Sequence, residues 1–341
     1  MKKAYHAKVA ATGIVLPKTC YTNDQIIGKI NTATQGRDDV PELRSDWIEE
    51  NIGIRTRYYF DETESLVDVS VKACEQALAQ AGWRALDLDF VILCSISSHA
   101  DENGAAIPSS ACLVQEQLGA YNAFAYDSLA ACSGWVYGMA QGVAFIESKM
   151  AKRGAVICAE KQSVGLNYAD HRSSVLIGDV ATVTLLESSE QPQLGAIHLQ
   201  ANDEKKLSSI ISLPYFRHDD DGHYQYGHFA LKGQAVFKEG IRTMMELTEQ
   251  ALRVNELSLE DVDWFVYHQA NAAMLRMVGS KLGIPDEKNL MNIDRLGNTT
   301  AGTIPSVLAM YMADGTIKRG DTLCCVAFGG GLTAGSLVFT Y

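Results

Sequence analysis

The sequence contains one structural unit twice. QALAQAGWRALDLDFVILC, residues 76–94, and QALRVNELSLEDVDWFVYH, residues 250–268, align without a gap at an offset of 174 residues. Each has a helical pattern, a polar turn with an aspartate, and an apolar run typical of a buried strand. Two further pairs keep the same order, KRGAVICAE with KRGDTLCCVAF and AYDSLAACSG with NIDRLGNTTAG. Three matches in one order predict a duplicated fold.

The duplicated unit predicts the fold class. Strands such as DFVILCSIS and AVICAE have no polar face, which predicts α/β sheets covered by helices on both sides. We expect two similar halves, residues 1–185 and 186–341, packed on each other. Ligands in such folds bind beyond the carboxyl ends of strands, so one site can draw groups from both halves.

Cys132 lies where the strand AFAY gives way to the helical pattern SGWVYGMAQGVAFIESKM. The start of a helix lowers the pKa of a thiol, and the small neighbouring residues allow a substrate to approach closely. We therefore expect Cys132 to be a nucleophile. A buried structural thiol is the alternative, and it is the favoured interpretation of the other seven cysteines.

The second copy carries His268 after the strand DWFVY, and Asn298 in a turn that the repeat places opposite Cys132. Taken singly, such residues are more often structural groups, turn residues or helix caps. Together with Cys132 they provide a nucleophile and two hydrogen-bond donors. The glycines around Gly330 in FGGGLTAG form either a flexible turn or an oxyanion hole built from backbone N–H groups.

Charge and cysteine content narrow the function class. The formal net charge of −12 repels nucleic acid, and it also disfavours an acidic protein partner unless a local basic patch exists. No apolar run reaches the ~20 residues of a membrane span. The eight cysteines include no C-x-x-C pair, which is typical of a reducing cytosol, so we predict a cytoplasmic protein.

Four motifs in this order, DSLAACSG, HQAN, GNTTAGTIP and FGGGLTAG, resemble those of the β-ketoacyl-[acyl carrier protein] synthase III family. The resemblance covers essentially the whole chain. It implies the thiolase fold, with two duplicated α/β halves in a five-layered αβαβα arrangement, and a homodimer. Thiolases usually have a second cysteine where Asn298 stands, and chalcone-synthase-like enzymes have a different terminal glycine motif.

The resemblance also implies a reaction. An acyl thioester, from acyl-CoA or an acyl carrier protein, would condense with malonyl carrier protein with loss of CO₂, in fatty-acid or secondary-metabolite biosynthesis. Cys132 would carry the acyl group, and His268 and Asn298 would stabilise the enolate. The N–H groups of Cys132 and Gly330 would hold the tetrahedral oxyanion. No metal or redox cofactor is implied.

Further positions follow from the resemblance alone. Substrate and CoA contacts would be Trp47, Arg172, Gly233, Phe237, Ala270 and Asn271, and carrier-docking residues would be Lys238, Arg276 and Lys281. The chain departs from the family where Asn51 and Ala273 replace arginines, and in an insertion at 99–106 near the acyl pocket. These departures suggest, as a hypothesis, a specialised homologue of alkylresorcinol, quinolone or polyene type, while plain fatty-acid initiation stays the slightly safer interpretation.

Other functions stay open at this point. An acyltransferase that passes the acyl group from Cys132 to an amine or hydroxyl would need the same cysteine and histidine. A non-catalytic partner subunit would typically lack the nucleophile. The run RHDDDGHYQYGH, residues 217–228, has no regular metal-ligand spacing, so we interpret it as a loop at the pocket rim.

Overall fold

The computed structural model describes residues 5–97, 107–201, 210–213, 216–218, 224–226 and 228–341. The insertion proposed at 99–106 lies outside the described residues, and so do residues 219–223 and 227 of the histidine- and aspartate-rich run. Among the described residues, no group of three or more His, Cys, Asp or Glu side chains is placed to hold a metal ion.

The first part of the chain alternates strands and helices. Its elements are β1 (His6–Val15), β2 (Thr19–Thr22), α1 (Asn23–Ala33), α2 (Ser45–Asn51), β3 (Thr56–Tyr59), α3 (Leu66–Ala81), β4 (Phe90–Cys94), α4 (Ser110–Leu118), β5 (Phe124–Ser128), α5 (Gly134–Glu147), β6 (Arg153–Glu160), α6 (His171–Ser174) and β7 (Val180–Ser189). A short 3₁₀ turn, Ala131–Ser133, directly precedes α5.

The second part repeats this arrangement. Its elements are β8 (Leu194–Ala201), β9 (Ile211–Ser212), β10 (Phe216–His218), β11 (Tyr224–Tyr226), β12 (Ala230–Leu231), α7 (Gly233–Val254), β13 (Trp264–Tyr267), α8 (Ala272–Leu282), α9 (Ile293–Leu296), α10 (Thr303–Ala313), β14 (Thr322–Gly329) and β15 (Thr333–Thr340). A second 3₁₀ turn, Thr300–Gly302, precedes α10.

The two main sheets have the same topology. The first has the order β1-β7-β6-β4-β5, and the second has the order β13-β14-β15-β8. β4 is parallel to β6 as β13 is to β14, and the next two pairings in each sheet are antiparallel. The place of β5 in the second sheet is taken by a single bridge between Phe265 and Asn289. The predicted duplication is confirmed.

Helices cover both faces of each sheet. α5 and α10 lie between the sheets, where Trp135 and Leu308 share one buried cluster with Ile92 of β4 and Cys325 of β14. Leu93 faces the other way, into the cluster formed with α3 and α4, and α7 and α8 cover the outer face of the second sheet. Each large apolar side chain buried in this way contributes about 1.5–3 kcal/mol. The resulting order of layers is the αβαβα arrangement of the thiolase fold, as expected.

The register of one repeat match differs from the prediction. The backbone N–H of Asp89 donates to the carbonyl of Arg153, and that of Asp263 donates to the carbonyl of Thr322. Arg153 therefore corresponds to Thr322, although the identical letters KRG had paired residue 153 with residue 319. Three additional residues precede β14, so the matching tripeptide lies in a loop and not in the strand.

The turns before α5 and α10 correspond to each other. Ala131 (φ 46°) and Thr300 (φ 49°) are the first residues of equivalent 3₁₀ turns, and both adopt left-handed backbone conformations. The counterpart of Cys132 is therefore Ala301. Asn298 lies three residues before Ala301, at the entry to the turn that corresponds to the Cys132 turn.

The chain passes from the first sheet to the second between β7 and β8. β7 ends at Ser189 and β8 begins at Leu194, so the predicted division at 185/186 falls within a strand of the first sheet. Among the helices that the structure describes, none combines the length and apolar character needed to cross a membrane.

Candidate active site

A cavity of about 310 Å³ lies beyond the carboxyl ends of the strands, between the two halves. The side chains of Cys132, His268 and Asn298 all line it. The structure thus brings together the three residues that the sequence placed at separate strand ends. Six other positions named from the sequence also line the cavity: Trp47, Arg172, Gly233, Phe237, Ala270 and Asn271.

Four of the positions named from the sequence lie elsewhere. Gly330, Lys238, Arg276 and Lys281 are off the cavity wall formed by the described residues. The three basic side chains are exposed on α7 and α8, the helices whose first turns contribute Gly233, Phe237 and Met274 to the wall.

Cys132 is held in the tight turn that connects β5 to α5. Its backbone packs against Gly329, where a Cβ atom would lie 2.7 Å from the Cys132 nitrogen. Only glycine fits this contact. The hydroxyl of Ser133 donates to Thr333 at 2.6 Å, and the hydroxyl of Thr333 lies 3.0 Å from the carbonyl of Ala130. The nucleophile turn is therefore fixed to the glycine-rich loop of the second half.

Burial controls the protonation of Cys132. The residue is only 6% exposed, and burial, with a smaller contribution from the charge of Glu160, raises the pKa of its thiol to about 12. The expectation that the helix start lowers this pKa was wrong, because desolvation of the thiolate outweighs the backbone contribution. With this pKa the thiol of Cys132 is neutral at physiological pH.

His268 follows β13 and is almost completely buried. Burial lowers the pKa of its imidazole to about 3, so the ring is neutral at physiological pH. The ring of Phe328 packs edge-on against the imidazole, with centroids 5.8 Å apart. A neutral imidazole carries one proton, and the partner of one nitrogen decides what the other nitrogen can do.

That partner is Thr303, at the start of α10. Nδ1 of His268 lies 2.7 Å from the Thr303 hydroxyl, which lies 3.0 Å from the carbonyl of Thr300. The hydroxyl can donate to Nδ1, or it can donate to the carbonyl and accept from Nδ1–H. In both cases Nδ1 is satisfied and Nε2 is left for a substrate. Sequence analysis missed Thr303, because it is 35 positions from His268 in the chain and only the fold brings the two side chains together.

Asn298 is held by backbone contacts on both sides. Its N–H donates to the carbonyl of Leu176 at 2.8 Å, and its carbonyl accepts from Gly178 at 3.1 Å. The preceding Gly297 (φ 68°) leaves no room for a side chain, because a Cβ atom would lie 2.7 Å from the Leu176 oxygen. The turn of Asn298 in the second half is thus anchored on the first half.

The orientation of the Asn298 amide follows from one hydrogen bond. Its Oδ1 accepts from the backbone N–H of Thr300 at 2.9 Å. Only the oxygen can accept, so the amide nitrogen faces away from this contact and remains a donor. The cavity therefore receives a carboxamide N–H at a fixed position.

Glu160, at the end of β6, is a second residue that sequence analysis missed. It is fully buried beneath the turns of Cys132 and Asn298 and accepts hydrogen bonds from Ser97 and from the backbone N–H of Ile96. Burial raises its pKa to about 7, although the hydrogen bonds from Ser97 and Ile96 and the nearby Thr300 and Ala301 act in the opposite direction. Glu160 connects the strand-end loop 95–97 to the turn that follows Asn298.

The outer part of the cavity is apolar with a polar rim. Trp47 stands half-exposed at the opening. Asn271 caps α8, because its Oδ1 accepts from the N–H groups of Ala273 and Met274. This capping role explains Asn271 structurally, and the substrate contact suggested for it stays a prediction.

Comparisons with known proteins point to one family. A family model described as 3-oxoacyl-[acyl-carrier-protein (ACP)] synthase III matches residues 126–203, and the model of its C-terminal part matches residues 252–341. A β-ketoacyl-[acyl-carrier-protein] synthase III of Clostridium perfringens is 35% identical over 335 residues, which cover 97% of this chain and 98% of that protein.

Solved structures agree with this similarity. The 3-oxoacyl-[acyl-carrier-protein] synthase III of Aquifex aeolicus has a TM-score of 0.85 at 31% identity, covering 98% of this chain and 100% of that one. The priming β-ketosynthase of the R1128 polyketide pathway has a TM-score of 0.88 at 22% identity, covering 100% of this chain and 97% of that one. The second likeness shows the fold alone.

Proposed function

Because the chain belongs to the β-ketoacyl-[acyl-carrier-protein] synthase III family, we propose that it joins an acyl group to malonyl carrier protein in a decarboxylative Claisen condensation. One observation carries the proposal. A nucleophile from the first half and two hydrogen-bond donors from the second half line a single cavity at the strand ends. The product is a 3-oxoacyl carrier protein, used in fatty-acid or polyketide biosynthesis.

The first step loads the acyl group on Cys132. The sulfur attacks the thioester carbonyl of the donor, the new C–S bond forms, and the bond to the donor sulfur breaks. His268, neutral because of its burial, accepts the thiol proton at Nε2, in the tautomer whose Nδ1–H donates to Thr303, and passes it to the departing thiolate of the donor. The developing oxyanion needs backbone N–H groups, for which we propose those of Cys132 and Gly330.

The second step breaks the C–C bond of the malonyl group. CO₂ leaves, and the electron pair of the broken C–C bond passes into an enolate. The enolate oxygen accepts hydrogen bonds from Asn298 and from Nε2–H of His268, in the tautomer whose Nδ1 accepts from the Thr303 hydroxyl. Fixed neutral donors suit this charge because they need no reorganisation as it develops. The enolate carbon then attacks the acyl thioester, the bond to Cys132 breaks, and the thiolate takes up one proton.

Two successive glycines of the glycine-rich loop have different roles in the proposed oxyanion hole. Gly329 contacts the Cys132 backbone, whereas the position of a Cβ atom on Gly330 points towards Ile211. The close approach of Gly329 therefore sets the distance between the two turns. Gly330 follows it at the start of a 3₁₀ turn and is the residue we propose as the second N–H donor.

Simple acyl transfer to an amine or hydroxyl is the second candidate. It needs Cys132 and a base, but it gives no role to a fixed amide donor. The anchoring of Asn298 by three hydrogen bonds, two of its backbone and one of its side chain, favours condensation. Incubation with an acyl donor and malonyl carrier separates the candidates: condensation releases CO₂ and forms 3-oxoacyl carrier, and acyl transfer releases none.

An acyl carrier protein is the proposed partner, and a homodimer is the proposed assembly. β5 is the edge strand of the first sheet, and Phe124 lies in it with Tyr121 and Leu129 exposed on either side. Unpaired strand edges with apolar side chains favour pairing with a second chain. All eight cysteines are free, which supports the proposed cytoplasmic location.

Thr303→Val tests the anchoring of His268. Valine keeps the shape but leaves Nδ1 without a partner, which costs about 1–3 kcal/mol for a buried polar group. We expect kcat for condensation to fall about ten- to a hundredfold with little change in KM for malonyl carrier. Thr303→Ser keeps the hydroxyl and should restore most of the rate. An unchanged kcat in a folded Thr303→Val protein would contradict this role.

A further inference from the structure

Glu160, the last residue of β6, is a fully buried carboxylate that the proposed reaction does not use. Its Oε2 accepts from the hydroxyl of Ser97 at 2.7 Å and from that of Ser95 at 3.3 Å, and the N–H of Ile96 lies 3.2 Å away. Taking a carboxylate out of water is costly unless hydrogen bonds replace the water. One side of Glu160 is therefore fixed to the loop 95–97 by neutral donors.

The loop 95–97 is itself held in place by hydrogen bonds. The Ser97 hydroxyl accepts from the N–H of Lys161 at 3.0 Å and from the side-chain amide of Gln162 at 2.5 Å. The N–H of Ser97 donates to the hydroxyl of Ser95 at 2.9 Å. Lys161 also donates from Nζ to the carbonyl of Glu64 at 2.7 Å. The carboxylate of Glu160 thus has a fixed position.

The other side of Glu160 faces the turn that follows Asn298. β6 packs against the 3₁₀ turn Thr300–Gly302, and both Thr300 and the N–H of Ala301 oppose the rise in the pKa of Glu160 that burial causes. Thr300 is a β-branched residue with a left-handed backbone conformation (φ 49°). Such a conformation persists only where the surrounding structure imposes it. A fixed carboxylate beside the turn can do so.

The duplicated fold shows what this contact corresponds to. β6 and β14 both have eight residues and end at equivalent positions, so Glu160 is the counterpart of Gly329, just as Ala301 is the counterpart of Cys132. Gly329 packs against the backbone of Cys132, and Glu160 lies beside the N–H of Ala301. Each strand end therefore meets the turn of the opposite half. In the second half, the group that meets the turn is a carboxylate.

Thr300 connects Glu160 to the donors of the site. Its N–H donates to Oδ1 of Asn298 at 2.9 Å, which fixes the direction of the amide. Its carbonyl lies 3.0 Å from the hydroxyl of Thr303, the partner of His268. A displaced Thr300 peptide would misdirect the Asn298 amide directly. His268 is less exposed to such a displacement, because Thr303 belongs to α10.

We infer that Glu160 is a positioning residue for decarboxylation, because it holds the Thr300 peptide in the conformation that directs the Asn298 amide at the enolate. The inference rests on the proposed function, since it assigns a role in the second step of that reaction. Loading of Cys132 depends on the opposite turn, which Gly329 holds, and should survive the loss of Glu160.

Glu160→Gln tests the inference. The variant keeps the shape of the side chain but replaces one acceptor oxygen with an amide nitrogen, which cannot accept a hydrogen bond. We expect CO₂ release from malonyl carrier to fall about ten- to fiftyfold, which is less than the cost of removing the donor itself. Loading of Cys132, followed by intact mass in a single turnover, should change less than about threefold.

Asp179→Asn is the matched control. Asp179 is a second fully buried carboxylate of the first half, and it accepts from the hydroxyl and N–H of Ser163 and from the N–H of Phe60. The variant removes a similar buried charge but leaves the contact between Glu160 and Thr300 intact. It should leave the ratio of CO₂ release to loading unchanged.

A double-mutant cycle separates positioning from a structural role. If Glu160 acts through Asn298, Glu160→Gln has almost no further effect on CO₂ release in an Asn298→Ala protein. A structural carboxylate would instead lower the rate by the same factor in both backgrounds.

Ser97→Ala tests the same contact without changing the carboxylate, and so applies even where Glu160→Gln does not fold. It removes the 2.7 Å hydrogen bond to Glu160 and keeps every backbone group. CO₂ release should fall about threefold or more, because the carboxylate loses its shortest anchor, and loading should stay at the wild-type rate.

Three results would overturn the inference. They are equal factors in the two backgrounds of the cycle, a wild-type ratio of CO₂ release to loading in the Ser97→Ala protein, and a shift of this ratio in Asp179→Asn as large as in Glu160→Gln. Absence of CO₂ release by the wild-type protein would instead overturn the proposed function.

Discussion

The Cys132→Ala protein forms no acyl-enzyme with any donor and loses condensation by roughly 10⁴-fold or more, because Cys132 is the only thiol among the described residues that line the cavity. CO₂ release from malonyl carrier persists in part, since His268 and Asn298 remain in place. Intact-mass spectrometry measures the acyl-enzyme, and product analysis of the carrier measures condensation.

A matched thiol control makes this result specific. Cys20 is exposed on β2 and is the thiol most open to non-specific acylation, so Cys20→Ala should load and condense as the wild type does. Acyl label retained on the Cys132→Ala protein, or lost from the Cys20→Ala protein, would contradict the assignment of the nucleophile.

The Asn298→Ala protein loads an acyl group on Cys132 but decarboxylates malonyl carrier about 10²–10³-fold more slowly, which is the usual cost of losing one oxyanion donor. Loading survives because Cys132 and His268 keep their own partners, Gly329 and Thr303. Single-turnover measurements of loading and of CO₂ release separate the two steps.

Alanine at this position also removes the acceptor of the Thr300 N–H group, so a second variant is needed. Asn298→Asp keeps an oxygen for that N–H group but has no donor for the enolate. It should decarboxylate at least as slowly as Asn298→Ala, because its carboxylate also repels the enolate. Wild-type decarboxylation by Asn298→Asp would contradict the donor role of the amide.

Repetition made most of the fold predictable. The pattern of helix, turn and buried strand occurs at residues 76–94 and 250–268, and both copies form equivalent parts of equivalent sheets. The exact register between the two copies was less predictable. The tripeptide KRG occurs in both copies, but β14 begins three residues later relative to it than β6 does. Hydrogen bonds of Asp89 and Asp263 define the true correspondence, and these depend on tertiary contacts.

The candidate site was predictable where a residue suited to catalysis follows the end of a predicted strand, as Cys132, His268 and Asn298 do. It was not predictable where long-range packing decides the chemistry. Local sequence suggested a lowered pKa for Cys132, whereas burial between two halves raises it. Thr303 and Glu160 act through contacts with distant turns, and no short motif marks such contacts.

The central claim is that one cavity, built by both halves, loads an acyl group and then consumes it in a carbon–carbon bond. The most direct measurement follows a stoichiometric acyl-enzyme, mapped by peptide mass to Cys132, after addition of malonyl carrier protein. The account predicts that the acyl-enzyme disappears as CO₂ and 3-oxoacyl carrier form in equal amounts. Loss of the acyl group by hydrolysis or transfer, with no matching CO₂, would contradict it.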